Sequence, residues 1–137
     1  MHMETFQIPE GRFVLTPATD DRVRQMAGAP PRQGDAAHPV FAFVGALGGL
    51  GLRIADLSRA LGLDFDAGPV LARSRLDYDA PLRVGESYRV TALVEEITRK
   101  PSRVFGQADH LHLAISLSQS VLVTRARLHM VFPVRGA

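Results

Sequence analysis

Between Pro39 and Arg53 the chain reads PVFAFVGALGGLGL, without one charged side chain. A bilayer crossing needs about 20 apolar residues, so a run this short has to be sheathed by protein instead. From residue 40 to residue 62, Phe43, Leu47, Leu50, Ile54, Leu57 and Leu61 recur at steps of three or four, which predicts one long helix. Its polar face, Arg53, Asp56 and Arg59, exists only in the second half, so the first half is expected to be buried all round. Gly45, Gly48, Gly49 and Gly51 each cost a helix interior about 0.5 to 1 kcal/mol relative to alanine. Something must come close to that backbone, and a curved sheet or a ligand chain would both qualify.

The flanking segments supply the sheet. Phe13 to Thr16 is β-prone and closed by Pro17; Thr19, Asp20 and Asp21 then start a short helix reaching Met26. Residues 28–39 hold Pro30, Pro31, Gly34 and Pro39, which predicts an irregular loop of the kind that carries sites. Beyond Gly62 the chain reads as strands over 70–78, 87–97, 111–117 and 121–132. Asp79-Ala80-Pro81, Arg83-Val84-Gly85 and Lys100-Pro101-Ser102 provide turns between them. A tight loop centred between Gln119 and Ser120 sets Leu117 opposite Leu122, Leu113 opposite Ala126 and Leu111 opposite Leu128. On the other face that register sets His110 opposite His129 and His112 opposite Arg127. The expected architecture is α+β, a long central helix wrapped by an antiparallel sheet, as one domain over residues 1–137, with residues 1–12 expected to be disordered.

Composition removes several functions. There is no cysteine, hence no disulfide, thiolate nucleophile or sulfur-ligated metal. The net charge is only +2, and 15 arginines and one lysine are scattered among the acids, a pattern that does not call for nucleic acid. The amino-terminal residues lack the basic and apolar regions of a signal peptide, so a cytoplasmic protein with no membrane partner is expected. His110 and His112, at i and i+2 on a strand, have chelating spacing, but strand histidines on a polar face are usually unliganded, so no metal is expected.

Three segments carry a resemblance: His38-Pro39-Val40-Phe41-Ala42-Phe43-Val44 entering the glycine-rich helix, Pro81-Leu82-Arg83-Val84-Gly85 leading into Tyr88-Arg89-Val90, and Glu95-Glu96-Ile97-Thr98-Arg99-Lys100. In this order they resemble the MaoC-like hydratase and dehydratase family over most of residues 34–133. The resemblance implies the hot-dog fold and a dimer. It also implies an acyl-thioester substrate, dehydrated from the 3-hydroxyacyl form or hydrated from the enoyl form, with coenzyme A or an acyl carrier protein as its handle and no separate cofactor. The family pattern places an aspartate five positions before a histidine. Here Gly34-Asp35 opens the pattern and Pro39-Val40 closes it, but Phe41 stands in the histidine's place and His38 precedes the proline.

Two readings follow. In the first, His38 and Asp35 share the acid and base work. The first free helix amides, at Phe41, Ala42 and Phe43, polarise the thioester carbonyl, Gly45 leaves room for the acyl chain, and Arg99, Lys100 and Arg103 hold phosphates. The bland counterpart is that His38 caps the helix, Asp35 is a solvated loop acid and the basic trio is a solvated hairpin tip. In the second reading the chain is a silent hot-dog subunit of a heteromeric dehydratase, or a binding module for acyl thioesters, and Phe41 fits that role. A thioesterase would need a carboxylate on the helix, for which Asp56 is badly placed.

Overall fold

The computed structural model describes residues 6–135. Five antiparallel strands form one sheet: β1 (Gly11–Val14), β2 (Val70–Tyr78), β3 (Ser87–Ser102), β4 (Gly106–Ser118) and β5 (Leu122–Pro133), in the order β1-β3-β4-β5-β2. One face carries Val90, Leu111, Leu113, Ile115, Leu117, Ala126 and Leu128, all buried, and against it pack the helices. The α+β expectation holds. Residues 6–12, expected in the disordered end, instead join the body: Phe6 and Ile8 pack on the core and Gly11 opens β1. Residues 1–5 lie outside the described residues.

Helix α1 (Pro17–Ala27) begins earlier than expected. Thr16, not Thr19, is the cap, accepting a hydrogen bond from the Thr19 N–H at 3.2 Å, and Pro17 occupies the first helical position. The long helix expected over 40–62 is two: α2 (Phe41–Gly48) and α3 (Ile54–Ala60). The apolar stripe runs through both, because both halves pack on the same core, where Leu57 of α3 is fully buried, but the helix stops between them. The reason lies in the amino-terminal segment. A Cβ on Gly51 would fall on the Pro9 carbonyl, and one on Gly11 would fall on the Gly49 carbonyl. Residues 9–11 are thus wedged against the break, and only glycine permits so close an approach. Gly51→Ala is expected to cost about 1 to 3 kcal/mol by overpacking. Gly48→Ala, where a Cβ meets nothing within 4 Å, is expected to be neutral or stabilising, and thermal unfolding of the pair reads out the difference.

The β4–β5 register also differs. Leu117 faces Thr124, Leu113 faces Leu128 and Leu111 faces Met130, a slip of two residues from expectation, with an irregularity between Leu117 and Ser118. An even slip keeps every side chain on its expected face. The β3–β4 turn lies further out than Lys100-Pro101-Ser102. Both strands extend, and the tip is residues 103–105, where the Ser102 hydroxyl accepts from the amides of Val104 and Phe105 at 3.2 and 3.1 Å.

Candidate functional site

The loop between α1 and α2 is held by one buried carboxylate. Asp20, fully excluded from solvent, accepts from the His38 N–H at 2.7 Å, from Arg24 Nε at 2.8 Å and from Arg32 at 3.0 Å. Burial alone would push its carboxyl up, but the bonds from His38, Arg24 and Arg32 outweigh it and hold the group below the ordinary aspartate range. Arg32 arrives from the middle of the loop, and Arg24 reaches on to the carbonyls of Pro30 and Ala36. Further along, the Ala37 N–H donates to Leu82 O at 2.7 Å and the Val84 N–H to Asp35 O at 2.8 Å, pinning residues 35–37 alongside 82–84.

These ties bring His38 to the wall of a cavity of about 370 Å³, lined by Ala37, His38, Pro39, Tyr78, Pro81 and Leu82 among others. Its walls are mainly apolar, and its size lies in the roughly 300 to 1,000 Å³ range of small-ligand pockets. The Tyr78 hydroxyl spans one side by donating to Pro39 O at 2.8 Å. Burial raises the Tyr78 pKa, so it remains a protonated donor at neutral pH.

His38 itself is tied. The Val40 N–H donates to its Nδ1 at 3.1 Å. A neutral ring so engaged carries its proton on Nε2, where it can donate a hydrogen bond but cannot take a proton. Asp35 is not among the cavity residues; it pairs with Arg83 on the exposed side of the loop. The expectation that the first helix amides are free is corrected. Phe41 N–H donates to His38 O at 3.2 Å, Ala42 N–H to Pro39 O at 3.1 Å and Phe43 N–H to Val40 O at 3.0 Å, a tight turn that consumes them. Phe41 is 0% exposed and stacks on Phe13 at 6.3 Å between ring centres. Gly45 faces Phe13 and Leu117, so the sheet, not open space, meets its backbone.

The basic trio is elsewhere. Arg99 grips Asp109 through two bonds of 2.7 and 3.0 Å across the β3–β4 ladder, while Lys100 and Arg103 are exposed near the hairpin tip. That tip adjoins the end of β5 that pairs with the start of β2. The cavity lies at the other end of β2, at Tyr78. Sequence reasoning missed Asp20, which reads as an ordinary first-turn acid, and treated Tyr78 as a sheet residue. No motif in the sequence marks either of them.

Among the described residues, no helix is long and apolar enough to cross a membrane. No protein-family model matches the chain, and no curated protein is significantly similar to it. Solved structures are similar in fold. One chain of the HadBC (3R-hydroxyacyl-ACP dehydratase) complex from Mycobacterium tuberculosis superposes with a TM-score of 0.69 at 13% identity, covering 96% of this chain and 98% of that one. A chain of the ChsH1–ChsH2 complex from the same organism gives 0.60 at 19%, covering 93% and 84%. A MaoC-like dehydratase from Rhodospirillum rubrum gives 0.50 at 17%, covering 98% and 97%. These neighbours support the resemblance read in the sequence, and with the sheet order and the helices on one of its faces they show that this chain has the hot-dog fold.

Proposed function

We propose that the chain is the non-catalytic hot-dog subunit of a heteromeric enzyme that dehydrates 3-hydroxyacyl thioesters or hydrates the enoyl form. The observation that carries this reading is Phe41, wholly buried in the core where the family pattern has histidine. Two further facts support it: His38 presents no free base in its capped state, and Asp35 is engaged by Arg83. The cavity beside His38 would then accommodate part of the acyl chain or its pantetheine arm, as apolar walls with few polar groups suit a methylene chain.

The surface supports a partner. Strand β2 is a sheet edge nine residues long, with Val70 and Leu71 46% and 44% exposed. On α2 the Val44 side chain is 40% exposed, and Gly48 faces open space. An unpaired edge strand together with an exposed apolar helix side is a template for association. Of the fold neighbours, the HadBC and ChsH1–ChsH2 structures are complexes of unlike subunits.

A second reading, an active dehydratase, rests on His38 lining the cavity. Crotonyl-coenzyme A hydration by the purified chain separates the two. No turnover by the chain alone is expected, with the His38→Ala variant indistinguishable from it. Turnover abolished by His38→Ala would overturn the silent-subunit reading and make His38 the working acid or base.

A further inference from the structure

On the sheet face opposite the helices, three imidazoles gather. His110 and His112 come from β4 and His129 from β5. His110 Nδ1 lies 2.8 Å from His129 Nε2, and the His112 ring stacks on His129 with centroids 4.3 Å apart and planes 14° from parallel. Stacked rings aim their nitrogens along parallel planes, not at a common point. In keeping with this, no group of three or more His, Cys, Asp or Glu among the described residues is arranged to hold a metal.

Around the rings stand four cations, Arg73, Arg75, Arg127 and Lys100, and three acids, Asp77, Glu95 and Glu96. From β2, Arg73 stands opposite His129 and Arg75 opposite Arg127 of β5; β3 contributes Glu95, Glu96 and Lys100. Asp77 lies 3.3 Å from Arg75 and 3.9 Å from Arg127, Glu95 lies 3.7 Å from Arg127, and Glu96 lies 3.7 Å from His112 Nε2. Arg73 and Lys100 have no carboxylate at ion-pair distance among the described residues. Burial first, then the charges of His112, His110, Arg73 and Lys100, depress the His129 pKa and favour its neutral ring. Between these side chains the sheet surface dips into a concavity of about 200 Å³, bordered by Arg73, Arg75, Arg127, His112 and His129, with the Glu95 carboxylate also on its rim.

We propose that this concavity binds a doubly charged oxyanion, a phosphate or phosphate ester, and that binding draws a proton onto His129. The guanidinium fork matches the oxygen geometry of such a group, and charge-assisted bonds of this kind are the strong ones. Asp77 and Glu95 occupy the arginines in its absence, at distances of 3.3 to 3.9 Å that leave room for a better acceptor. Burial is the first cause that keeps His129 neutral, and an anion in the concavity opposes the second, the neighbouring positive charge, so the affinity rises as pH falls. The site lies on the opposite face from the cavity at His38 and stands or falls independently of the function proposed for that cavity.

The test is sulfate, which keeps its double charge throughout, titrated into the full chain at about pH 6 and about pH 8, either side of the histidine range. The histidine ring proton resonances and calorimetry follow binding. Saturable shifts at His112 and His129 are expected, tighter at the lower pH. Arg73→Gln should weaken binding about tenfold, and His129→Gln should remove the pH dependence. A second arm uses 3′,5′-ADP, the nucleotide end of coenzyme A. Much tighter binding than sulfate assigns the site to a nucleotide phosphate ester, and equal binding assigns it to a free oxyanion; both support it. No saturable shift at millimolar sulfate, or equal affinity in Arg73→Gln, overturns it.

Discussion

Asp20→Ala is expected to lower the melting temperature by about 10 °C, a loss of about 3 kcal/mol. The carboxylate is fully buried and satisfies three donors: the guanidinium of Arg24 one turn along α1, and the Arg32 guanidinium and His38 amide from the loop. Removing it leaves Arg24 and Arg32 without their shared counter-charge and the His38 amide without an acceptor. Both arginine side chains keep some access to water, 15% and 17% exposed, which places the cost at the lower end of the roughly 3 to 5 kcal/mol expected for a broken buried pair. Asp20→Asn keeps an oxygen for the His38 amide and should recover part of the loss. The pH dependence has a definite sign. The folded-state pKa lies below the ordinary aspartate value of 3.8. The contribution is therefore complete above that value and is lost as pH falls through the folded pKa. Thermal melts of wild type and Asp20→Asn, extended into acid, should converge there.

Phe41→His, which installs the family's histidine at its expected place, should destabilise the fold by about 3 kcal/mol and give no hydratase activity. The ring position has no solvent access and Phe13 as its stacked neighbour, so an imidazole there lacks a hydrogen-bond partner and loses apolar contact. Phe41→Leu, apolar but smaller, should cost less. Chemical denaturation ranks the three, and the crotonyl-coenzyme A assay checks the activity. A Phe41→His protein that melts like wild type and turns over substrate would mean that the side chain can leave the core and that residue 41 alone silences the site.

The sequence revealed what depends on side-chain pattern alone. Strand β2 occupies Val70–Tyr78, the bounds that its composition predicts. The β4–β5 pairing slipped by two residues, yet the histidines stayed on the outer face because alternation survives an even shift. Patterning could not reveal the break between α2 and α3: the apolar stripe records which side faces the core, and both halves face it. The glycines did signal a close approach, but Pro9 and Gly11, which make it, lie far away in sequence. The same holds for the site. His38 was visible as a residue type beside a helix start, whereas its occupied Nδ1 depends on how residues 38–40 turn. Asp20 becomes a buried hub only when Arg32 and the His38 amide reach it from the loop.

The wedge of residues 9–11 against the helix break also bears on the order in which the chain can fold. Among the described residues, strand β1 pairs with β3 alone, Gly11 with Val90 and Phe13 with Tyr88. Ribosomes add about 5 to 20 residues per second, so the first strand waits several seconds for the segment that completes it. Docking of β1 closes a long loop and belongs among the slow, non-local steps of folding. The amino-terminal segment is thus made first and seated late, and until it is seated the break in the helix has nothing wedged against it.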